Sequence, residues 1–456
     1  MNNKNYVNLN INPCKSCMPM GTSLAFKGIE STMILLHGSQ GCSTYIRRHM
    51  ATHYNEPIDI SSSSLNEKDT VHGGADNLKR GLKNTLRLYN PKMIGISTTC
   101  LAETIGEDLH RIITEFKEEE PKYKDVVFVP VSSPGYGGTH YEGFYYALKR
   151  TLEILATDYT PNDSINIIAG NMTPADMRYI KEILNNFNIK YTLLPDFSKT
   201  LDGAFTKNYK KLSNEGTKID DIKKMAGARA TIELGMLVSD NISPGKYLEE
   251  RFDIPLYRCP LPIGLTNMDL FIDILKELSG NKIPEKLIDS RGRMLDGMID
   301  SHKYNSEGRA AIFGEPDIVY SATKLCLENG ILPLVIATGS KTRKLQSLLS
   351  EYLETLDEDC AIIDDTDLET IQMYVKKLGI NIVIGTSDGK FITERDGVPL
   401  VRIGFPIHDR IGAQRKLYVG YEGSMQFLDD ITNTIIDQKH SGYHKKMFNK
   451  YYEPVL

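Results

Sequence analysis

An α/β fold of three doubly wound, Rossmann-like domains is predicted by three features of the sequence: its length, its alternation of apolar strands with helices, and the recurrence of that alternation. The chain has 456 residues, and at about 150 residues per domain this length corresponds to about three domains. The fractions of hydrophobic residues, 41%, and charged residues, 25%, are those of an ordinary globular protein. A chain of this size builds its cores without disulfides or structural metals.

The first cycle of strands and helices lies in the N-terminal third. Leucines at helical spacing predict a basic helix over 77–90, which Pro91 ends. An apolar strand is predicted over 93–97, a single helix over 102–120, and a second apolar strand over 126–131. Because β-α-β alternation builds parallel sheets, this segment predicts a parallel, doubly wound sheet.

A second cycle opens with an apolar strand over 165–170. Thr173, Pro174 and Asp176 follow it, and a threonine, a proline and an acidic residue in this order are typical of a helix start. A further strand is predicted over 191–194. The pattern therefore repeats the first cycle.

A third cycle completes the chain. Its strands are predicted over 310–314, 332–337, 381–385 and 400–404, and its first helix over 317–329. A charged helix over 285–304 connects this cycle to the second one. We therefore expect three Rossmann-like domains over 1–158, 159–305 and 306–456, the last including a C-terminal tail.

Charge and composition exclude several classes of partner. The net charge of −5, from 54 basic and 59 acidic residues, gives no basic field for nucleic acid or anionic lipid. No apolar run approaches the roughly 18 residues of a membrane span, and the N-terminal residues lack the apolar core of a signal peptide. We expect a cytoplasmic protein with neither nucleic-acid nor membrane partners. The absence of a Walker A motif and of a GxGxxG turn argues against a nucleotide cofactor.

The first two of the seven cysteines form a CxxC motif, Cys14-Lys15-Ser16-Cys17. A redox dithiol normally follows a strand and begins a helix, whereas this motif follows a polar tail. A tetrahedral zinc site needs a second pair of ligands, and neither another CxxC nor an HxxxH supplies one. Thioredoxin-like chemistry and structural zinc are therefore both disfavoured.

Two further cysteines have contexts suited to a bound cluster. Cys42 is flanked by glycine in the segment His37 to Cys42, which leaves backbone N–H groups free to approach an anion. Cys100 follows the predicted strand over 93–97, and open α/β sheets bind ligands at the carboxyl ends of their strands. Together with Cys17, these thiols suit iron–sulfur ligation, and His37 could donate a hydrogen bond to the cluster.

The alternative for each cysteine taken singly is an inert, buried thiol, which is common in proteins. We keep that interpretation for Cys259, Cys326 and Cys360, which lie in ordinary apolar contexts.

Several segments together resemble the nitrogenase component 1 family. In order along nearly the whole chain, they are Lys15–Gly21, His37–Cys42, Gly73–Leu78, Ser97–Thr104 and Arg402–Arg410. The resemblance implies a fold of three Rossmann-like domains and a role in nitrogen fixation, within a family of oxidoreductases. It also implies pairing of α-type and β-type subunits into an α2β2 heterotetramer, metal–sulfur clusters at their interface, and an ATP-dependent iron protein as a further partner.

Other segments are similar to β-type subunits, and most similar to the β-subunit of the scaffold that assembles the iron–molybdenum cofactor. They are Tyr123–Val131, Leu194–Gly203, Leu278–Pro284, Gly412–Arg415 and Gly420–Tyr421. The resemblance therefore implies a scaffold subunit that supports cofactor maturation and is not itself the catalyst. It assigns no catalytic residue.

The cysteines depart from that pattern. The family's catalytic β-subunit has cysteines matching Cys17, Cys42 and Cys100 for an eight-iron P-cluster, whereas the scaffold β-subunit often keeps only the one matching Cys42. We predict a [4Fe–4S] cluster with Cys42 as the principal ligand and Cys17 and Cys100 as additional ligands. The alternative is the β-subunit of a catalytic nitrogenase or nitrogenase-like reductase with a P-cluster-like eight-iron site. A third possibility is a metal-free interaction subunit with buried cysteines.

Overall fold

The computed structural model describes residues 14–208, 210–354 and 359–451, and they form an α/β protein with three parallel sheets. The predicted fold class is confirmed. Two compact units divide the described residues: the N-terminal unit, Lys15–Cys259 with His408–Lys416, and the C-terminal unit, Cys14 with Pro260–Ile407 and residues 417–451. One sheet falls within each predicted domain range, and the domain boundaries themselves stay a prediction.

The first sheet of the N-terminal unit has the order β2-β1-β3-β4, all parallel. Its strands are β1 (Thr32–His37), β2 (Ser61–Ser62), β3 (Met93–Thr98) and β4 (Val127–Val131). Every residue of β1 and β3 is buried, as expected for central strands covered on both faces. The accompanying helices are α1 (Met18–Lys27), α2 (Gln40–Tyr54), α3 (Glu67–His72), α4 (Ala75–Tyr89), α5 (Cys100–Thr104), α6 (Leu109–Glu119) and α7 (His140–Leu155).

The prediction of a single helix over 102–120 is wrong, because the structure has two helices there, α5 and α6. Gly106, between them, adopts a φ of +75°, which is outside the helical region and suits glycine. Asp108 then caps α6, since its side chain accepts a hydrogen bond from the backbone N–H of Arg111 at 3.0 Å. The chain thus turns between Cys100 and the amphipathic helix that follows.

The second sheet has the order β6-β5-β7-β8, again parallel. Its strands are β5 (Ser164–Ile168), β6 (Lys190–Leu194), β7 (Ala230–Leu234) and β8 (Leu256–Cys259), with helices α8 (Pro174–Asn186), α9 (Ile219–Lys224) and α10 (Pro244–Phe252). The predicted start of α8 is confirmed, because Thr173 and Asp176 form a reciprocal capping box. Strands β7 and β8 were not among the predicted elements.

The third sheet belongs to the C-terminal unit and has the parallel order β11-β10-β9-β12-β13. Its strands are β9 (Arg309–Gly314), β10 (Leu332–Thr338), β11 (Ala361–Ile363), β12 (Ile382–Gly385) and β13 (Leu400–Arg402). The helices of this unit are α11 (Leu265–Ser279), α12 (Glu285–Asn305), α13 (Pro316–Glu328), α14 (Leu345–Leu353), α15 (Leu368–Lys377), α16 (Lys390–Asp396) and α17 (Gly420–Tyr451). The predicted charged helix is α12, and it packs along α17.

Within residues 14–208, 210–354 and 359–451, each helix is too short or too polar to cross a bilayer.

Candidate metal centre

Cys17 occupies the N-cap position of α1, with its side chain exposed to solvent. Its backbone forms an antiparallel bridge with Thr139, just before α7. Ser16 strengthens this connection, because its backbone oxygen accepts the N–H of His140 at 2.9 Å and its N–H donates to Nδ1 of His140 at 3.2 Å. The segment that carries Cys17 is therefore fastened to the start of α7.

Cys42 lies in the first turn of α2, directly after β1, and is partly exposed. The Oγ of Ser39, the N-cap residue, lies 3.8 Å from its Sγ. Gly38 allows the preceding loop to approach the Cys100 loop, because a Cβ at residue 38 would lie 2.0 Å from Oγ1 of Thr99. Only glycine fits there, so the loops bearing Cys42 and Cys100 pack directly against each other.

Cys100 is the first residue of α5, immediately after β3, and its side chain is exposed. The backbone N–H of Gly135 donates to its Sγ over 3.1 Å. A Cβ at residue 135 would lie 3.3 Å from this sulfur and 3.5 Å from Cβ of Cys17. The loop between β4 and α7 therefore lies beside both Cys17 and Cys100.

The sulfur of Cys17 interacts electrostatically with those of Cys42 and Cys100. Although Cys17 is exposed, desolvation by the surrounding protein raises its pKa, a backbone N–H of Met20 opposes this, and the charges of Cys42 and Cys100 raise the pKa further. Thiolates repel one another, and coordination to cationic iron would remove that repulsion.

The donor set fits an iron–sulfur cluster better than a single metal ion. Over the residues with described positions, no three side chains of Cys, His, Asp or Glu lie close enough together to bind one ion. Thiolates are the usual ligands of iron–sulfur clusters, and the exposed Cys17 and Cys100 leave room for ligands from another chain.

His37 is completely buried, and its ring nitrogens face two other side chains. Its Nδ1 lies 2.9 Å from Oγ of Ser63, and its Nε2 lies 3.9 Å from Oε2 of Glu107. Burial lowers the pKa of His37, and the Glu107 carboxylate partly opposes this. Glu107 also accepts a hydrogen bond from the N–H of Gly74. His37 thus supports the Gly73–Gly74 turn, and its hydrogen bond to a cluster stays a prediction.

The remaining cysteines are buried or half-buried. Burial raises the pKa of Cys259 and of Cys326 to about 12 and that of Cys360 to about 11, so all three stay protonated near neutral pH. Cys14 is buried in the apolar core of the C-terminal unit.

Gly135 contributes a backbone N–H to this site, and the sequence motifs did not predict this role. It is 35 residues from Cys100 in sequence, and a backbone donor has no side-chain signature. The only available signal was the glycine-rich turn after the second apolar strand.

Parallel α/β sheets with three thiols gathered at the ends of helices define a class of candidate metal–sulfur proteins. A family model described as nitrogenase component 1 type oxidoreductase matches residues 17–436. The chain therefore belongs to the nitrogenase component 1 family.

Individual relatives show which chain type it resembles. The chain is 35% identical over 432 residues to the nitrogenase molybdenum-iron protein beta chain of Clostridium pasteurianum, covering 94% of each chain. It is 33% identical over 445 residues to the nitrogenase vanadium-iron protein beta chain of Trichormus variabilis, covering 94% of this chain and 95% of the relative. A solved structure of nitrogenase Cp1 at pH 6.5 superposes with a TM-score of 0.91 at 34% identity, covering 94% of both chains. The chain is thus of the β-chain type.

Proposed function

We propose that this chain is the β-subunit of a component 1 reductase and supplies the thiolates of Cys17, Cys42 and Cys100 to a metal–sulfur cluster shared with an α-type partner. The observation that carries the proposal is that one loop lies beside both Cys17 and Cys100, while the loop that carries Cys42 packs directly against the Cys100 loop. A buried, inert thiol does not describe Cys17 and Cys100, which are exposed.

The protein groups around the thiols suit an anionic ligand. Cys17 and Cys42 lie at the N-terminal ends of α1 and α2, where backbone N–H groups and the helix dipole favour negative charge. The N–H of Gly135 is directed at the sulfur of Cys100. When bound, the cluster supplies one-electron transfer, and the residues of this chain hold it, orient it and stabilise its charge.

The α2 helix that carries Cys42 is connected to α8 through a short helical turn. The 3₁₀ turn Ala413–Arg415 packs against both α2 and α8. The backbone oxygen of the neighbouring Lys416 accepts a hydrogen bond from Oγ1 of Thr173 at 2.8 Å. We infer that these contacts fix the position of Cys42 relative to the rest of the N-terminal unit.

The reductase is favoured over the scaffold because all three thiols gather and because the relatives named above are molybdenum-iron and vanadium-iron protein beta chains. In this proposal the site is P-cluster-like, with eight irons and further ligands from the α-type partner. The subunits pair as an α2β2 heterotetramer, and an ATP-dependent iron protein supplies electrons.

The second candidate is the scaffold subunit that supports maturation of the iron–molybdenum cofactor, with a [4Fe–4S] cluster. The segments Leu194–Gly203 and Leu278–Pro284 favour it, since they are similar to the scaffold β-subunit. Both candidates share the same thiols and the same type of partner.

Activity of the purified pair separates the candidates. The chain is expressed anaerobically with an α-type subunit from the same genome and mixed with iron protein and ATP. The reductase proposal predicts ATP-dependent substrate reduction. Failure to reduce substrate, together with transfer of a matured cofactor to an apo-nitrogenase, would establish the scaffold candidate. A colourless, iron-free pair would contradict both.

A further inference from the structure

The loop of residues 132–139, between β4 and α7, contains a tight turn that directs one backbone N–H at a cysteine sulfur. The N–H of Gly137 donates to the backbone oxygen of Pro134 at 2.8 Å, which closes a four-residue turn with Gly135 at its second position. In this turn the N–H of Gly135 donates to Sγ of Cys100 at 3.1 Å. The donor is part of the backbone, so the rigidity of the turn determines its direction.

Glycine at residue 135 allows this close approach. A Cβ there would lie 3.3 Å from Sγ of Cys100, which is tighter than most Cβ contacts, and 3.5 Å from Cβ of Cys17. The far end of the same loop holds the Cys17 segment through the bridge between Cys17 and Thr139. One loop therefore contacts two of the three thiols.

We propose that the Gly135 N–H is a positioning donor that fixes the Cys100 thiolate and raises the reduction potential of the cluster it binds. The proposal rests on the ligand role of Cys100 in the proposed function. A hydrogen bond to a ligating sulfur stabilises negative charge, and the reduced cluster carries more negative charge than the oxidised one. Removal of this donor therefore makes the reduction potential more negative.

Two substitutions at residue 135 differ in whether they keep the N–H. Gly135→Ala adds a Cβ and keeps the N–H. Gly135→Pro removes the N–H and puts the ring Cδ in its place, so it deletes the donor and also crowds Sγ of Cys100, which lies 3.1 Å from the nitrogen. Gly292→Ala in α12 is the control, because a Cβ there would have no neighbour within 4 Å.

The experiment is a redox titration of each purified αβ pair, followed by electron paramagnetic resonance, with iron content and circular dichroism measured on the same samples. We expect a more negative midpoint potential in Gly135→Pro than in Gly135→Ala and the unsubstituted pair, and no shift in Gly292→Ala. Equal potentials in the two Gly135 variants would overturn the proposal. An iron-free unsubstituted pair would overturn the proposed function and this inference with it.

A second measurement identifies the donor directly, and it also applies if Gly135→Pro does not fold. The unsubstituted pair and Gly135→Ala are both prepared with ¹⁵N-glycine, and the cluster is observed by electron–nuclear double resonance. We expect a ¹⁵N coupling in the first sample that is absent from the second, because the alanine nitrogen is unlabelled. The same coupling in both samples would show that Gly135 is not the donor.

Discussion

Gly21 of α1 and Gly143 of α7 lie at the point where the two helices cross, and each faces the backbone of the other helix. A Cβ at residue 21 would lie 1.7 Å from the backbone oxygen of His140, and a Cβ at residue 143 would lie 2.1 Å from that of Met18. The close crossing brings the start of α1, with Cys17 as its N-cap residue, against the start of α7. Glycine at both positions is therefore a condition for the observed placement of Cys17.

We expect Gly143→Ala to destabilise the protein by about 3 kcal/mol, since the added methyl group overlaps backbone that moves only with its helix. Chemical denaturation of the αβ pair measures this change. The control is Gly292→Ala in α12, where a Cβ would have no neighbour within 4 Å. Alanine there should stabilise the helix by about 0.5–1 kcal/mol. Equal effects of the two substitutions would contradict the close crossing.

Lys27, at the end of α1, gives the stability a distinct pH dependence. Burial lowers the pKa of its ammonium group from 10.5 to about 8, and nearby Asp59 acts in the opposite direction. Below pH 8 the folded protein holds a charged, desolvated lysine. Between about pH 8 and 10.5 the unfolded chain binds more protons than the folded one, so the contribution of Lys27 to stability rises with pH over that window.

We therefore expect Lys27→Met to be more stable than the unsubstituted protein at pH 7, by up to about 3 kcal/mol, since one pKa unit corresponds to about 1.4 kcal/mol. The difference between the two proteins should shrink as the pH rises from 8 to 10.5. Denaturant unfolding at several pH values measures it, with Lys223→Met on the exposed side of α9 as the control. A difference that does not change with pH would rule out a buried charge at Lys27.

Cys42→Ala tests the ligand that the sequence favoured most. We expect the αβ pair to lose most of its iron and to keep its circular dichroism spectrum, because a thiolate ligand has no substitute while the deleted volume is small. Cys360→Ala is the matched control, since that thiol is half-buried and donates to the backbone oxygen of Pro333. Unchanged iron in Cys42→Ala would refute the assignment of Cys42 as a ligand.

The fold class could be predicted from the sequence for a clear physical reason. Apolar runs such as 93–97 are too short for a helix and therefore indicate buried strands. The three thiols were chosen from motifs such as the glycines beside Cys42, and their role as ligands stays a prediction. Strand β8 was missed because its residues, Leu-Tyr-Arg-Cys, are mostly half-buried and do not form an apolar run. The break between α5 and α6 was missed because it depends on the positive φ of one glycine, Gly106.

The contacts that hold the site together could not be predicted from sequence patterns, for a different reason. The contacts of Gly135 with Cys100 and of Gly38 with Thr99 join segments 35 and 61 residues apart and involve backbone atoms or the absence of a side chain. The contacts of His37 with Ser63 and Glu107 were not predicted either, because these partners come from distant loops. Tertiary packing, which periodicity does not encode, determines all of these contacts.

The most direct test of the central claim is a Mössbauer iron count on the ⁵⁷Fe-enriched αβ pair, taken alongside Cys17→Ala, Cys42→Ala and Cys100→Ala. If the three thiolates jointly hold a cluster shared with the partner, the unsubstituted pair shows the spectrum of an eight-iron site, and each substitution diminishes or alters it. An unsubstituted pair with no iron, or a spectrum unchanged by any of the three substitutions, would contradict the account.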